Sequence, residues 1–209
     1  MQNAIQALDR LREGNRRFVS NQAEDRLLST SRRAELVLGQ EPFAIILGCS
    51  DSRVPAELVF DQGFGDLFVI RVAGNIVAPS QVGSVEFAAS KFGTRLVVVM
   101  GHSQCGAILA TLDELQGRAT SQTANLRSIV NRIRPSVATL LAGPRGVDPD
   151  NLAHEAVRAN VRASADHLRH GSALLEDLIL KDGLLVVGAE YSLETGVVDF
   201  FEGNPVGRY

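Results

Sequence analysis

Two short stretches of this sequence share one design: residues 43–53, running Phe43-Ala44-Ile45-Ile46-Leu47-Gly48-Cys49 into Asp51 and Arg53, and residues 96–106, running Leu96-Val97-Val98-Val99-Met100-Gly101-His102 into Cys105. Each is a continuous apolar run of strand length, closed by a glycine and then by a residue able to ligate a metal. An apolar run without alternation fits a strand buried on both faces, as in a parallel sheet. The glycine is expected to let the chain turn sharply off the strand end. Ligands of open α/β sheets sit just beyond the carboxyl ends of the strands, so Cys49, His102 and Cys105 can meet although 49 and 105 are far apart in sequence. Two thiolates and an imidazole suit zinc, and three protein ligands leave its fourth position for water.

The rest of the chain supplies the other elements of such a sheet. Residues 3–20 carry Ile5, Leu8, Leu11 and Phe18 as an apolar stripe, a helix that either packs on its own domain or reaches over a partner subunit. Residues 30–39 read as a short helix stopped by Gly39 and Pro42, and 54–60 as a helical turn with Pro55 near its start. A buried strand is expected over 66–72, ending at the turn 73–75. Helices follow at 80–92 and 105–116, around a strand at 95–100. A helical stretch at 122–142 is interrupted by Pro135, and a turn-rich segment, 143–149, leads to helices at 150–169 and 172–181. A last buried strand, 184–189, can pair with 196–201 as a hairpin at the sheet edge. Strands alternating with helices imply right-handed crossovers and a parallel sheet. The expected fold is α/β: a central, mainly parallel β-sheet flanked by helices, with an antiparallel edge strand and an N-terminal helical arm. Nothing marks a linker, so one domain is expected over 1–209, with the arm at 1–40, the zinc-site core at 41–120 and the remaining helices and strands at 121–209.

Charge and cysteine usage narrow the function. The 21 basic and 24 acidic side chains give a formal charge of −3, no electrostatic case for nucleic acid. No apolar run approaches the ~20 residues of a membrane span, and residues 1–17 lack a signal-peptide core; a cytoplasmic protein is expected. The two cysteines admit three roles: a disulfide, disfavoured in a reducing compartment, inert core thiols, or metal ligands. Their placement at turns after strand-like runs, one of them three residues after a histidine, favours ligands.

The spacing adds chemistry. If Cys105 begins a helix, the free amides and dipole there favour its thiolate. In Cys49-x-Asp51-x-Arg53, alternate residues of an extended loop share one face. As a surface ion pair, Asp51 and Arg53 would contribute about 0–1 kcal/mol. Beside zinc, the planar fork of the arginine can instead hold the carboxylate so that it accepts a hydrogen bond from the proton of a metal-bound hydroxide and aims its lone pair.

Cys49-Ser50-Asp51-Ser52-Arg53 together with His102-Ser103-Gln104-Cys105-Gly106 resembles the signature of β-class carbonic anhydrases. Residues 65–75 and 83–88 also resemble that family, closely over about 40–110 and in order and type of elements beyond. The resemblance implies zinc, one ion per chain, on Cys49, His102 and Cys105, and a catalytic dyad of Asp51 and Arg53. It implies reversible hydration of CO2 to bicarbonate and a proton by attack of zinc-bound hydroxide. Gln62 matches a residue that hydrogen-bonds substrate, Phe68, Ala73 and Phe87 match the apolar CO2 pocket, and the amide of Gly106 matches a donor to bound anion. Ala73 is smaller than the valine often found there. The family builds its sites at dimer interfaces, often within tetramers, with the N-terminal helix embracing the partner. Two thiolates cancel the charge of Zn²⁺, so activity is expected to favour neutral to alkaline pH. His154, His167 and His170, on a predicted helix, read as solvated or packed rather than as a proton shuttle.

Some members close at low pH, when the Asp of the dyad moves onto zinc, stabilised by bicarbonate in a pocket that uses a Trp three residues before the first ligand. Here that position is Ile46 and the chain has no Trp. Arg71 matches the pocket's arginine, whereas its tyrosine is replaced within 185–187. The expectation is an open site at neutral pH, with Asp51 held by Arg53. Three rival readings stand beside this one. Gly101-His102-Ser103-Gln104-Cys105 nearly matches the nucleophile elbow of an α/β-hydrolase, but its fifth position is Cys and Cys49-x-Asp51-x-Arg53 is left idle. A non-catalytic zinc module binding bicarbonate or a protein leaves the Asp51–Arg53 pair unexplained. The same site acting on carbonyl sulfide or carbon disulfide is not separable by sequence.

Overall fold

The structure is a computed structural model, describing residues 2–23, 30–119, 123–142 and 151–205. Its strands are β1 (Ala44–Gly48), β2 (Leu67–Arg71), β3 (Leu96–His102), β4 (Leu185–Tyr191) and β5 (Val198–Glu202), and its α-helices are α1 (Ala4–Val19), α2 (Thr30–Glu35), α3 (Ala56–Val59), α4 (Pro79–Lys91), α5 (Gly106–Leu115), α6 (Ala124–Leu141), α7 (Leu152–His170) and α8 (Ala173–Lys181). Short 3-10 turns lie at Leu36–Leu38 and Ala73–Asn75. The strands form one sheet in the order β2-β1-β3-β4-β5. Neighbours run parallel except β4 and β5, which are antiparallel. The expected architecture is the one observed, and the turn-rich 143–149 lies outside the described residues.

The uniform apolar runs follow from position. β1 and β3 are buried along their whole length because helices cover both faces, and neither face can then carry polar residues. β2 departs from the expectation of a buried strand: it is the edge of the sheet, and Phe68 and Val69 are only partly covered. α1 packs on its own chain, with Ala7, Leu8 and Leu11 fully buried against β1, β3 and α3. Asn15 ties it down: Nδ2 donates to the carbonyls of Val59 (3.1 Å) and Gly196 (2.8 Å), while Oδ1 accepts from the Val198 amide (2.9 Å). Residues 3–20 are thus a helix packed on its own domain, the first of the two readings.

Two further expectations are corrected. α6 is not interrupted at Pro135 but runs through it; the ring removes one backbone donor, yet α6 remains anchored by Val130, Ile133 and Val137, buried with α5 and α7. Nor does either module turn at its glycine. Gly48 is the last residue of β1, β3 continues through Gly101 into His102, and neither glycine has positive φ. Gly101 supplies room instead: a Cβ there would lie 2.7 Å from Val161 Cγ2 and 2.9 Å from Val157 Cγ1, so its bare backbone lets α7 approach β3. No helix among the described residues is long and apolar enough to cross a membrane.

Candidate metal centre

β1 and β3 are neighbours in the sheet, but the chain leaves them in different directions, β1 for the edge strand β2 and β3 for β4. Such a switch point opens a crevice at the carboxyl ends of the two strands. Cys49 follows β1 directly, His102 ends β3, and Cys105 is the N-cap of α5. The two sulfurs and the imidazole nitrogen all lie within 4.8 Å of one another, and all three residues are buried.

The surroundings fit a cation. Nδ1 of His102 faces the carbonyl of Ser103 at 2.9 Å; a donor there leaves Nε2 with a free lone pair. Nε2 is buried without a hydrogen-bond partner, an arrangement that is costly unless something else satisfies it. The sulfurs are crowded together without a disulfide. The hydrogen bond between them, with Cys105 donating, lowers Cys49 far below the ordinary thiol range, and the same bond together with burial raises Cys105. Two buried thiols sharing one proton form a place where a cation can replace the proton. The Gly74 amide donates to Cys49 Sγ at 3.3 Å, further favouring a thiolate there. Among the described residues this is the cluster whose donors, two sulfurs and a nitrogen, suit zinc.

Asp51 and Arg53 stand beside the cluster. Arg53 Nε donates to Asp51 Oδ1 (2.9 Å), its Nη2 to Oδ2 (2.8 Å), and its backbone amide to Oδ1 (3.0 Å). These bonds from Arg53, its side chain foremost, hold the Asp51 carboxyl well below the usual carboxylate range. Asp51 Oδ2 lies 3.9 Å from His102 Nε2, so the carboxylate looks at the orphaned nitrogen while Arg53 restrains it. Arg71, at the end of β2, fixes the loop from below: Nε donates to the Cys49 carbonyl (3.0 Å) and Nη2 to that of Asp51 (2.6 Å).

Of the remaining residues singled out by sequence, Ala73 and Gly106 border the cluster, and Gln62, Phe68 and Phe87 do not. Ala73 opens the turn that carries the Gly74 amide, and Gly106 opens α5 next to Cys105. Gln62 is buried elsewhere, donating to the Phe60 carbonyl at 2.7 Å beside Gly14. Phe68 and Phe87 pack with Phe92 in tilted and edge-on pairs between β2 and α4, centroids 5.7–6.2 Å apart. Phe68 joins an apolar cluster distinct from the one holding Cys49 and Cys105. Ile46 is fully buried in the core. Sequence reasoning did not single out Gly74 as a donor to sulfur, or Glu194, whose carboxylate binds the turn between His102 and Cys105. Gly74 was readable only as a turn residue, and nothing in the sequence links Glu194 to a turn 90 residues earlier.

A 2-1-3-4-5 sheet with this cluster at its switch point defines an α/β protein built around a metal-competent site. The sequence model of the family described as carbonic anhydrase matches residues 44–198. Carbonic anhydrase 2 of Mycobacterium tuberculosis is 38% identical over 194 residues, which cover 93% of this chain and 91% of that protein. The structure of the β-carbonic anhydrase CcaA superposes with a TM-score of 0.74 at 26% identity, covering 96% of this chain and 93% of the other. A tetrameric β-carbonic anhydrase of Sordaria macrospora gives a TM-score of 0.72 at 24% identity, covering 81% and 85%. The chain belongs to the β-carbonic anhydrase family.

Proposed function

We propose that this chain catalyses the reversible hydration of carbon dioxide, CO2 + H2O ⇌ HCO3⁻ + H⁺, as a zinc lyase, with Cys49, His102 and Cys105 holding the ion. The observation that carries the reading is the buried Cys-His-Cys cluster faced by a carboxylate that Arg53 restrains. Zinc on those three residues would keep a fourth position for water and lower the pKa of that water. Asp51, ionised and acceptor-only, would accept a hydrogen bond from the attacking hydroxide and so aim its lone pair away from the carboxylate, towards CO2, while the proton lost from the water leaves to solvent. Arg53 keeps the carboxylate at that task rather than letting it swing onto the cluster. The Gly106 amide, at the start of α5, belongs to the turn whose donors lack helical partners; it suits an anionic product oxygen.

The apolar walls are assigned to Phe68, Ala73 and Phe87, and a substrate hydrogen bond to Gln62. Gln62, Phe68 and Phe87 lie away from the cluster of their own chain, so in this reading they serve the site of a second copy. A homodimer, or a tetramer of the kind named for the Sordaria macrospora protein, supplies that arrangement. Exposed apolar residues suit such a contact: Leu58, Phe64 and Phe87 are exposed, and β2 is an edge strand of the sheet. A reducing, cytoplasmic setting would keep both cysteines free for metal.

Stopped-flow CO2 hydration by protein of measured metal content tests the function. Activity that tracks one zinc per chain, vanishes on chelation and returns with zinc is expected. Fully zinc-loaded protein without hydration activity would sink the proposal. Turnover on CO2 and carbonyl sulfide side by side separates the substrate from its analogue.

A further inference from the structure

Two of the three ligand residues, His102 and Cys105, sit three positions apart on one turn, and that turn does not hold its shape alone. Gln104, between them, has φ +56°, a left-handed conformation disfavoured for a glutamine. Both residues between the ligands send their side chains to one carboxylate on the loop between β4 and β5. Glu194 Oε2 accepts from Ser103 Oγ (2.8 Å), and Oε1 accepts from Gln104 Nε2 (2.6 Å). The same loop gives the Leu193 amide to Ser103 Oγ (2.9 Å), while the Ser103 amide donates to the Tyr191 carbonyl (3.0 Å). The loop also has backbone closure of its own, the Ser192 amide donating to the Val197 carbonyl and the Gly196 amide to that of Ser192, both at 2.9 Å, beside one side-chain bond from Ser192 Oγ to Glu194 Oε2 (3.1 Å).

We propose that Glu194 is a positioning residue for the metal centre, acting on His102 through Ser103 and on Cys105 through Gln104. The path to His102 is short. Glu194 fixes Ser103, and the carbonyl of Ser103 accepts from His102 Nδ1 (2.9 Å), which sets both the tilt of the ring and the tautomer that leaves Nε2 free. The path to Cys105 runs through the backbone of Gln104, whose side chain is tethered while its φ stays left-handed. An ionised acceptor makes such bonds stronger than a neutral one, and outer residues that orient ligands typically change metal affinity by 10- to 100-fold. The proposal rests on reading Cys49, His102 and Cys105 as metal ligands.

The test compares full-length wild type, Glu194→Ala, Glu194→Gln and, as a control on the same loop, Thr195→Ala. Thr195 Oγ1 accepts from the Val197 amide and belongs to the hairpin rather than to the ligand turn. Zinc affinity is measured by competition with a chelator, and site geometry by the visible absorption of the cobalt(II)-substituted protein. Glu194→Ala is expected to weaken zinc by about 10- to 100-fold and to broaden the tetrahedral cobalt bands. Glu194→Gln keeps one carbonyl acceptor and is expected to fall between; Thr195→Ala should match wild type in both readouts even if it melts earlier. Glu194→Ala with wild-type affinity and spectrum overturns the proposal, as does an equal loss in Thr195→Ala. If Glu194→Ala does not fold, Glu194→Gln decides: wild-type values in both readouts overturn it. A wild-type protein that binds no zinc overturns the metal reading itself, whereas wild type that binds zinc with unaffected variants overturns only the role of Glu194.

Discussion

Asp51 is asked to stay near two sulfurs without joining them, and Arg53 makes that possible. Two guanidinium bonds and one backbone bond occupy both carboxylate oxygens. The side chain of Arg53 is half exposed, so the pair contributes little to stability, and its value lies in orientation. Asp51→Asn and Arg53→Ala are therefore expected to keep full zinc and a near-normal melting temperature while hydration falls by about 10²-fold or more, the scale of a lost proton-handling group. Near-normal turnover in both, with full zinc, would reduce them to a surface pair. Cys105→Ala is expected to lose stoichiometric zinc in dialysed protein, because it leaves two ligands for an ion that needs at least three. Retained stoichiometric zinc would remove Cys105 from the site.

At the scale of elements, α7 braces the site because glycines let it come close. Val161 fits against both Gly101 and Gly188, where an added Cβ would lie 2.7 Å and 2.8 Å from its methyl groups. At that approach Asn160 Nδ2 donates to the Gly74 carbonyl (2.8 Å) and Ser164 Oγ to the Asn75 carbonyl (3.0 Å). The braced turn in turn offers its amide to Cys49 Sγ. Gly101→Ala must push α7 outward, and overpacking of this kind costs about 1–3 kcal/mol; lower thermal stability together with faster zinc loss to a chelator is expected. Unchanged melting would show that α7 accommodates the methyl group. The loop between β4 and β5 gives a pH test. Hydrogen bonds from Ser103 first, then from its own loop and Gln104, lower the Glu194 carboxyl to about 2, against about 4.3 for an unperturbed Glu. Because the folded value is the lower one, its stabilisation is full above the unfolded pKa and fades as pH falls towards about 2. The melting-temperature gap between wild type and Glu194→Gln should therefore be constant above about pH 5 and shrink below about pH 4; a gap that varies between pH 6 and 8 would contradict this assignment.

For the whole molecule, the cluster joins the end of β1, the end of β3 and the start of α5, so a bound ion would act as a cross-link between them. A ligand present at about 1,000 times its Kd stabilises the folded state by about 4 kcal/mol. For a chain of this length each kcal/mol moves the melting temperature by about 2–4 °C. Chelation is expected to lower it by about 8–16 °C, reversibly on adding zinc. Equal melting of zinc-loaded and chelated protein would show that the cluster is not tied by metal.

The features readable from the chain are those set by short-range chemistry. Unalternated apolar runs at 44–48 and 96–101 mark strands covered on both faces, because only such strands exclude polar residues from every position. Ligand types at their ends, and the Cys49-x-Asp51-x-Arg53 spacing, are likewise local, so the three metal-competent residues and the ion pair beside them were visible before any fold. Packing between distant segments set the rest. The place of β2 at the edge depends on which strand claims each side of β1, and no property of residues 67–71 encodes that choice. Gly101 reads as a turn until Val157 and Val161 are brought against it, and Pro135 reads as an interruption until the helix on both sides of it is anchored by its buried face. Glu194 meets Ser103 and Gln104 across 91 and 90 positions of sequence, a contact that exists only because β4 pairs with β3 and carries the loop to the end of the neighbouring strand. Periodicity and turn chemistry act over a few residues, whereas close approach and hydrogen bonding across the sheet depend on where every other element has already packed.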